Sequence, residues 1–285
     1  MSEAAFLAGL TRRLESKIRD CDGLAGIHVV DLTTGNRFGV NDDLTFAVAS
    51  SIKVPLLVSL YRKAQAGELD VTAPLTVDER HHVGGSGVLQ YFPHPATLSI
   101  EDVAVLMINL SDNTATNILI DLVGMDYVNR QMDGLGLPGI RLRRKMIDSV
   151  AAARGDENVS PMRQAAELMR MLWAGEIVDQ YLCESVLRIL TKPKSPSWVA
   201  TLLPPEVEIA SKPGWLDGVA CDFAIVKLQR RPYVFCCAVN YSLGADPAGF
   251  VAQLSHEVYR FFSVLDRSTS QGRRLDMATL LAHGR

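Results

Sequence analysis

A chain of 285 residues, 48% hydrophobic and 21% charged, reads as a soluble globular protein with enough length for one large domain or two modest ones. Its formal net charge of −3 gives no basis for nucleic acid or an anionic membrane as a partner, and no run of about 18 apolar residues predicts a membrane span. The five cysteines, Cys21, Cys183, Cys221, Cys236 and Cys237, follow no metal-ligand spacing, so reduced, mostly buried thiols are expected, with no metal and no cofactor.

Residues 3–20 predict an amphipathic helix with Phe6, Leu7, Leu10, Leu14 and Ile18 as its apolar stripe. Arg12, Arg13, Glu15 and Lys17 interrupt it, a pattern without the basic and apolar regions of a signal peptide, and a cytoplasmic location is the expectation. Strands follow at 25–31 and 36–40, joined by a turn at Thr33-Thr34-Gly35. A helix then starts near Ser50 and runs to about Glu68; Pro55 is tolerated because first-turn N–H groups have no intrahelical partner to lose. His81-His82-Val83 and Gly84-Gly85-Ser86-Gly87 read as a loop, the glycines as a flexible wall, and His81, His82 and His94 are too scattered to hold a metal. Ser99-Ile-Glu-Asp102 is a capping box opening a helix to about Leu110; Ser111-Asp112-Asn113 breaks the pattern, which resumes from Thr114 to Val123. A basic cluster at Arg141–Lys145 leads a polar loop to about Asn158, and Pro161 lies just inside a helix through Trp173. After a helix at 179–190, strands are expected at 207–211, 223–229 and 233–240, then a helix at 247–265. Strands at both ends with helices between predict an α+β layout: a discontinuous α/β domain (1–42 and 191–285) carrying an all-helical one (43–190), with the active site between them.

Within that layout, Ser50 and Lys53 stand three residues apart, on one face of a helix start. A neutral lysine amine beside a serine hydroxyl makes a nucleophile without histidine, provided burial or another cation lowers the lysine's pKa. Two further motifs follow in order: Ser111-Asp112-Asn113, and Lys212-Pro213-Gly214 on a predicted strand. Together these resemble the Ser-x-x-Lys, Ser-Asp-Asn and Lys-x-Gly set of class A β-lactamases and penicillin-binding proteins, and the resemblance covers nearly the whole chain. It implies a β-lactamase-like fold, an antiparallel sheet flanked by helices plus a helical part. It implies Ser50 as nucleophile, Lys53 as base, Ser111 as proton relay and Lys212 as the cation beside them. Asn113 would orient the substrate carbonyl or Lys53; the N–H groups of Ser50 and Trp215 would form the oxyanion hole; Gly214 would let the strand approach the substrate. Ser86 is a further candidate substrate contact, and Trp215 with Leu216 a rim of the cleft.

The chain also departs from that family. Where class A enzymes place a deacylating glutamate, alignment on Arg141-Leu142 and Arg144 puts Met146, with Val150 at the position of its asparagine partner. A thioether takes no proton from water, and Asp148 is the nearest carboxylate that can substitute; Glu157 is expected to pair with Arg144 and close the loop. Pro213 replaces the hydroxyl residue that meets a β-lactam carboxylate. The following strand offers no arginine, and Asp222 there is expected to repel that carboxylate. The reading is therefore a serine hydrolase acting on a small-molecule ester or amide through a Ser50 acyl-enzyme, with weak or no β-lactam turnover. Two alternatives stay open: a working class A β-lactamase that deacylates with Asp148 or Lys53, and a penicillin-binding or non-catalytic ligand binder. The sequence carries no signal of oligomeric state.

Overall fold

A computed structural model describes residues 3–191, 197–244 and 246–275. The first helix, α1 (Glu3–Arg19), is followed by strands β1 (Leu24–Asp31) and β2 (Arg37–Val40) and a short β3 (Thr45–Ala47). Next come α2 (Lys53–Gln65), β4 (Pro74–Val77), β5 (Ala96–Ser99), α3 (Ile100–Asn109), α4 (Asn113–Val123) and α5 (Met125–Gly134). The middle of the chain closes with α6 (Ser149–Ala153), β6 (Val159–Pro161), α7 (Met162–Trp173) and α8 (Gln180–Leu190). The chain then returns to long strands, β7 (Glu208–Leu216), β8 (Val219–Lys227) and β9 (Tyr233–Asn240), and ends its described part on α9 (Pro247–Asp266).

Four long strands and the short β2 make one antiparallel sheet in the order β2-β1-β9-β8-β7. This is the expected α+β fold with its flanked antiparallel sheet. The central strand β9 is buried along its whole length, and both its faces are covered, which is why Tyr233-Val-Phe-Cys-Cys-Ala-Val239 reads as an unbroken apolar run. On one face, Ile27, Val29, Ala224, Phe235 and Val239 meet Leu10, Leu14 and Ile18 of α1 and Val251, Leu254 and Phe262 of α9. On the other, Phe223, Ile225, Val234 and Cys236 meet the helices of the middle region. Each fully buried Leu, Ile, Val or Phe on these faces contributes roughly 1.5–3 kcal/mol relative to exposure. The edge strand β7 carries the third motif, so its free edge is available to a cleft.

Differences from the sequence expectations are local. The stretch 43–190 is mainly helical but also carries two short antiparallel pairs, β3 with β6 and β4 with β5. Unlike β2, which the Thr33-Thr34-Gly35 turn marks, these strands of three or four residues hold too little alternation to read. Pro161 stands at the N-cap of α7, in extended backbone, and not inside the helix. α5 fills a stretch to which the sequence reading assigns no element, and α6 lies within the expected polar loop, because each buries only one or two side chains. No helix among the described residues is long and apolar enough to cross a membrane. The ends of the expected first domain, with residues 192–196 and 245, lie outside the described residues.

Candidate active site

The nucleophile candidate sits in a tight turn. One 3₁₀ turn, Ala49–Ile52, precedes α2, and Ala49 is held at φ +42°, a left-handed conformation that costs a non-glycine residue energy. α2 buries every residue from Lys53 to Tyr61, so it runs through the middle of the core and fixes Lys53 at its first turn. A small buried network holds the turn against the sheet. The Ser51 hydroxyl donates to the Lys212 carbonyl (2.7 Å), and the Cys221 thiol donates to the Val48 carbonyl (2.9 Å) and lies 3.2 Å from Ser51 Oγ.

Ser111 forms the break between α3 and α4 at φ +52°. The helix cap that follows is Asp112, whose Oδ1 accepts from Ala115 N (3.0 Å), so Ser111 and Asn113 are released from capping. Lys53 Nζ donates to the Ser111 carbonyl (2.7 Å), to Ser111 Oγ (3.1 Å) and to Asn113 Oδ1 (3.1 Å). Lys212 Nζ reaches the same Ser111 Oγ at 3.1 Å. Two lysines thus converge on one hydroxyl, and both are fully buried. Burial pushes the Lys53 amine well below the usual lysine range, and the Lys212 charge adds to that effect. Burial also lowers Lys212, to about 8, with the Asp222 carboxylate opposing. In this structure Lys53 bonds Ser111 and Asn113 rather than Ser50. Such bonds often tighten onto the nucleophile only with substrate bound.

Ser50 lines two adjoining cavities, of about 410 and 250 Å³. Ser86 and Trp215 border both; Asn113, Met146 and Asp148 border the larger, and Ser111, Lys212, Pro213 and Gly214 the smaller. Gly214 is required by close approach: a Cβ there would lie 2.6 Å from Val48 O and 2.9 Å from Ser50 N. Trp215 is 60% exposed on the rim. Asn113 Nδ2 donates to Gly84 O (3.0 Å) while Oδ1 accepts from Lys53 (3.1 Å), so both ends of the amide are engaged.

The loop 141–158 is closed as expected at its base. Arg144, 8% exposed, donates twice to Glu157 Oε2 (2.8 and 3.2 Å), and the Asn158 amide accepts from Arg143 N and Arg144 N. Met146 lies buried on the cavity wall, its N–H and carbonyl both tied to the Asn117 side chain (2.8 and 3.1 Å). Asp148 faces the same cavity, and its Oδ1 caps α6 by accepting from Ala151 N (2.9 Å). Between them Ile147 takes φ +60°, an outlier for a β-branched residue, and its side chain leans over Gly85. Val150 is 66% exposed.

Two expectations are corrected. Asp222 does not face the cleft: it is fully buried and its Oδ2 accepts from Ser197 Oγ (2.8 Å) and Val199 N (3.1 Å), so it meets no substrate carboxylate. The glycine loop is tied down rather than flexible, since Asp112 Oδ2 accepts from Val88 N and Leu89 N and Ser86 O accepts from Asn113 N. The sequence reading missed Asp112's double duty, the Ser51–Cys221 network and Trp198, whose indole N–H donates to Gly214 O (3.3 Å). For Asp112 the cap position before an apolar helical run is a usable signal; the other two depend on contacts between distant parts of the chain. All five cysteines are free.

Comparison with known proteins agrees with this geometry. Among curated relatives, the chain is 29% identical over 139 residues to a beta-lactamase regulatory protein, BlaB, of Streptomyces cacaoi, covering 48% of this chain and 44% of that one. It is 25% identical to the beta-lactamase SME-1 of Serratia marcescens, over 59% of this chain and 58% of that one. The chain thus spans about half the length of these curated relatives. Among solved structures, it is similar to a beta-lactamase of Sphaerobacter thermophilus (28% identity, 91% of this chain and 97% of that one, TM-score 0.79). It is likewise similar to PBP-A (26% identity, 90% and 97%, TM-score 0.82). The model of the beta-lactamase enzyme family matches residues 9–262, and the chain belongs to that family.

Proposed function

We propose that this protein is a serine acyl hydrolase that works through an ester at Ser50 on a small ester or amide substrate, with weak or no β-lactam turnover. The observation that carries the reading is the convergence of Lys53 and Lys212 on Ser111 Oγ, at 3.1 Å each, beside a serine that opens to both cavities. The substrate carbonyl oxygen would lie between the N–H groups of Ser50 and Trp215, an arrangement worth about 3–4 kcal/mol per donor. Neutral Lys53 takes the Ser50 proton as Oγ bonds the carbonyl carbon. Collapse of the tetrahedral species breaks the bond to the leaving group, which takes a proton from Ser111 as Lys53 returns one to it. Lys212, cationic, steadies negative charge on Ser111 during that relay. Asn113 orients Lys53, Gly214 admits the carbonyl to the strand edge, and Ser86 borders the bound acyl group. In the two-part reading of the chain, this cleft separates the α/β part from the helical one.

Two side chains support weak β-lactam turnover: Pro213, which offers a β-lactam carboxylate neither hydroxyl nor N–H, and Met146, which accepts no proton from the water that would clear a penicilloyl ester. PBP-A is known as a leucine-to-glutamate mutant in an acyl-enzyme complex with penicillin G, and acylation of this chain by a penicillin is consistent with that likeness. A second reading, a working β-lactamase, is favoured by one observation: Asp148 borders the larger cavity. The test is hydrolysis of activated esters by the wild type and by Ser50→Ala. Turnover that falls at least about a thousandfold in the mutant is expected; turnover that survives refutes the Ser50 ester.

A further inference from the structure

The two cavities meeting at Ser50 differ in their chemistry. The hydroxyl that serves the leaving group, Ser111 Oγ, borders only the smaller one, so on the acyl-enzyme reading the leaving group lies there. Its other walls are Trp198, Trp215 and Pro213, with Lys212 at the floor. Trp198 has the one polar atom of its side chain committed to the Gly214 carbonyl at 3.3 Å, which leaves the rest of the indole as carbon surface. Lys212 Nζ is held by Ser111 Oγ and by the Pro213 carbonyl, each at 3.1 Å. A cavity of about 150 Å³ already holds benzene; this one, at about 250 Å³, has room for an aromatic ring beside the reacting bond.

Trp198 is also held from behind. Its two chain neighbours donate to the same oxygen of Asp222, Ser197 through Oγ and Val199 through N, and Ser255 Oγ donates to the Val199 carbonyl (2.9 Å). A fully buried carboxylate is expensive, and burial pushes this one up to about 6. Asp222 sits opposite Pro213 in the β7–β8 register, behind the strand whose front edge borders the cleft. It touches no reacting atom, and its part in the acyl transfer is its charge, which opposes the lowering of Lys212. Its hydrogen bonds serve the segment that presents Trp198.

We propose that Trp198, Trp215 and Pro213 form a leaving-group subsite for a flat, uncharged aromatic group, and that Asp222 is the positioning residue that sets Trp198 in its wall. The natural substrate class is then an aryl ester or anilide. In the first step Ser50 Oγ bonds the acyl carbon, and the bond between that carbon and the heteroatom carrying the aromatic group breaks. The Ser50 proton, passed through Lys53 and Ser111, ends on the departing heteroatom, so no oxidant, reductant or co-reactant is needed. The proposal rests on the Ser50 ester, and the experiment separates the two.

The experiment measures kcat/KM for an aryl ester, a trifluoroethyl ester and an ester whose leaving group bears a carboxylate, all with one acyl group. The proteins are the wild type, Trp198→Ala, Trp198→Phe and Asp222→Asn, with thermal melts to confirm folding. The aryl-to-alkyl ratio should fall about tenfold in Trp198→Ala, mainly through KM, since stacking and burial of one ring carry about that factor. Trp198→Phe should restore most of the ratio, and Asp222→Asn should lower it in the same direction. Equal losses on both esters, an unchanged ratio in Trp198→Ala, or a wild-type preference for the carboxylate-bearing leaving group would each overturn the subsite. A wild type that hydrolyses none of the esters and forms no Ser50 adduct overturns the acyl-enzyme reading itself.

Discussion

Lys53 and Lys212 share a hydroxyl but not a role, and their surroundings assign the difference. Both amines are lowered by burial and each has a carboxylate opposing, Asp112 for Lys53 and Asp222 for Lys212, but Lys53 is lowered further by the charge of Lys212. These directions make Lys53 the better suited of the two to serve as base and Lys212 the better suited to stay cationic. Lys212, lowered to about 8, loses its proton as pH rises through that value, so acylation should decline on the alkaline side from about pH 8. Stopped-flow acylation across pH 6 to 10 measures this, and Lys212→Arg, whose guanidinium stays charged, should carry the rate to higher pH. The same alkaline limb in the arginine variant would assign it to another group. At this scale the motifs were readable because their chemistry is carried by residue type and order. Trp198, Cys221 and the true orientation of Asp222 were not, since each acquires its role from partners such as Gly214, Val48 and Ser197 that only folding brings near.

The elements around the cleft are held by side chains that take no part in chemistry. The loop 141–158 reaches the cavity with Met146 because Arg144, Glu157 and Asn158 close its neck and Asn117 clamps its backbone. Removing Glu157 leaves a guanidinium that is 8% exposed without its carboxylate. Glu157→Ala should therefore lower stability by about 2 kcal/mol, read from the denaturant midpoint. A loss below about 0.5 kcal/mol would mean that solvent replaces the pair. The pairing of Arg144 with Glu157 was legible from the basic cluster and the family likeness. α6 was not, because a five-residue helix capped by Asp148 and burying Ala151 alone leaves no periodic trace. α5 escaped for a similar reason, as only Val128 and Met132 face inward.

At the scale of the molecule, one antiparallel sheet separates two apolar layers, and the cleft opens where its edge strand β7 faces the turn before α2. The α+β order was legible because the longer helices repeat their period over several turns and strands such as β9 are long apolar runs; the short β3–β6 and β4–β5 pairs were not. On the proposed reading, the edge of β7 and the Ser50 turn are the two halves of an acylation site, with Met146 where clearance of the ester would need a base. The most direct measurement is time-resolved intact mass after mixing with a penicillin, for the wild type, Ser50→Ala and Met146→Glu. The account expects a long-lived wild-type adduct of the whole penicillin, no adduct in Ser50→Ala and a shorter-lived one in Met146→Glu. An adduct that persists in Ser50→Ala, or rapid wild-type turnover of the penicillin with no adduct, would contradict it.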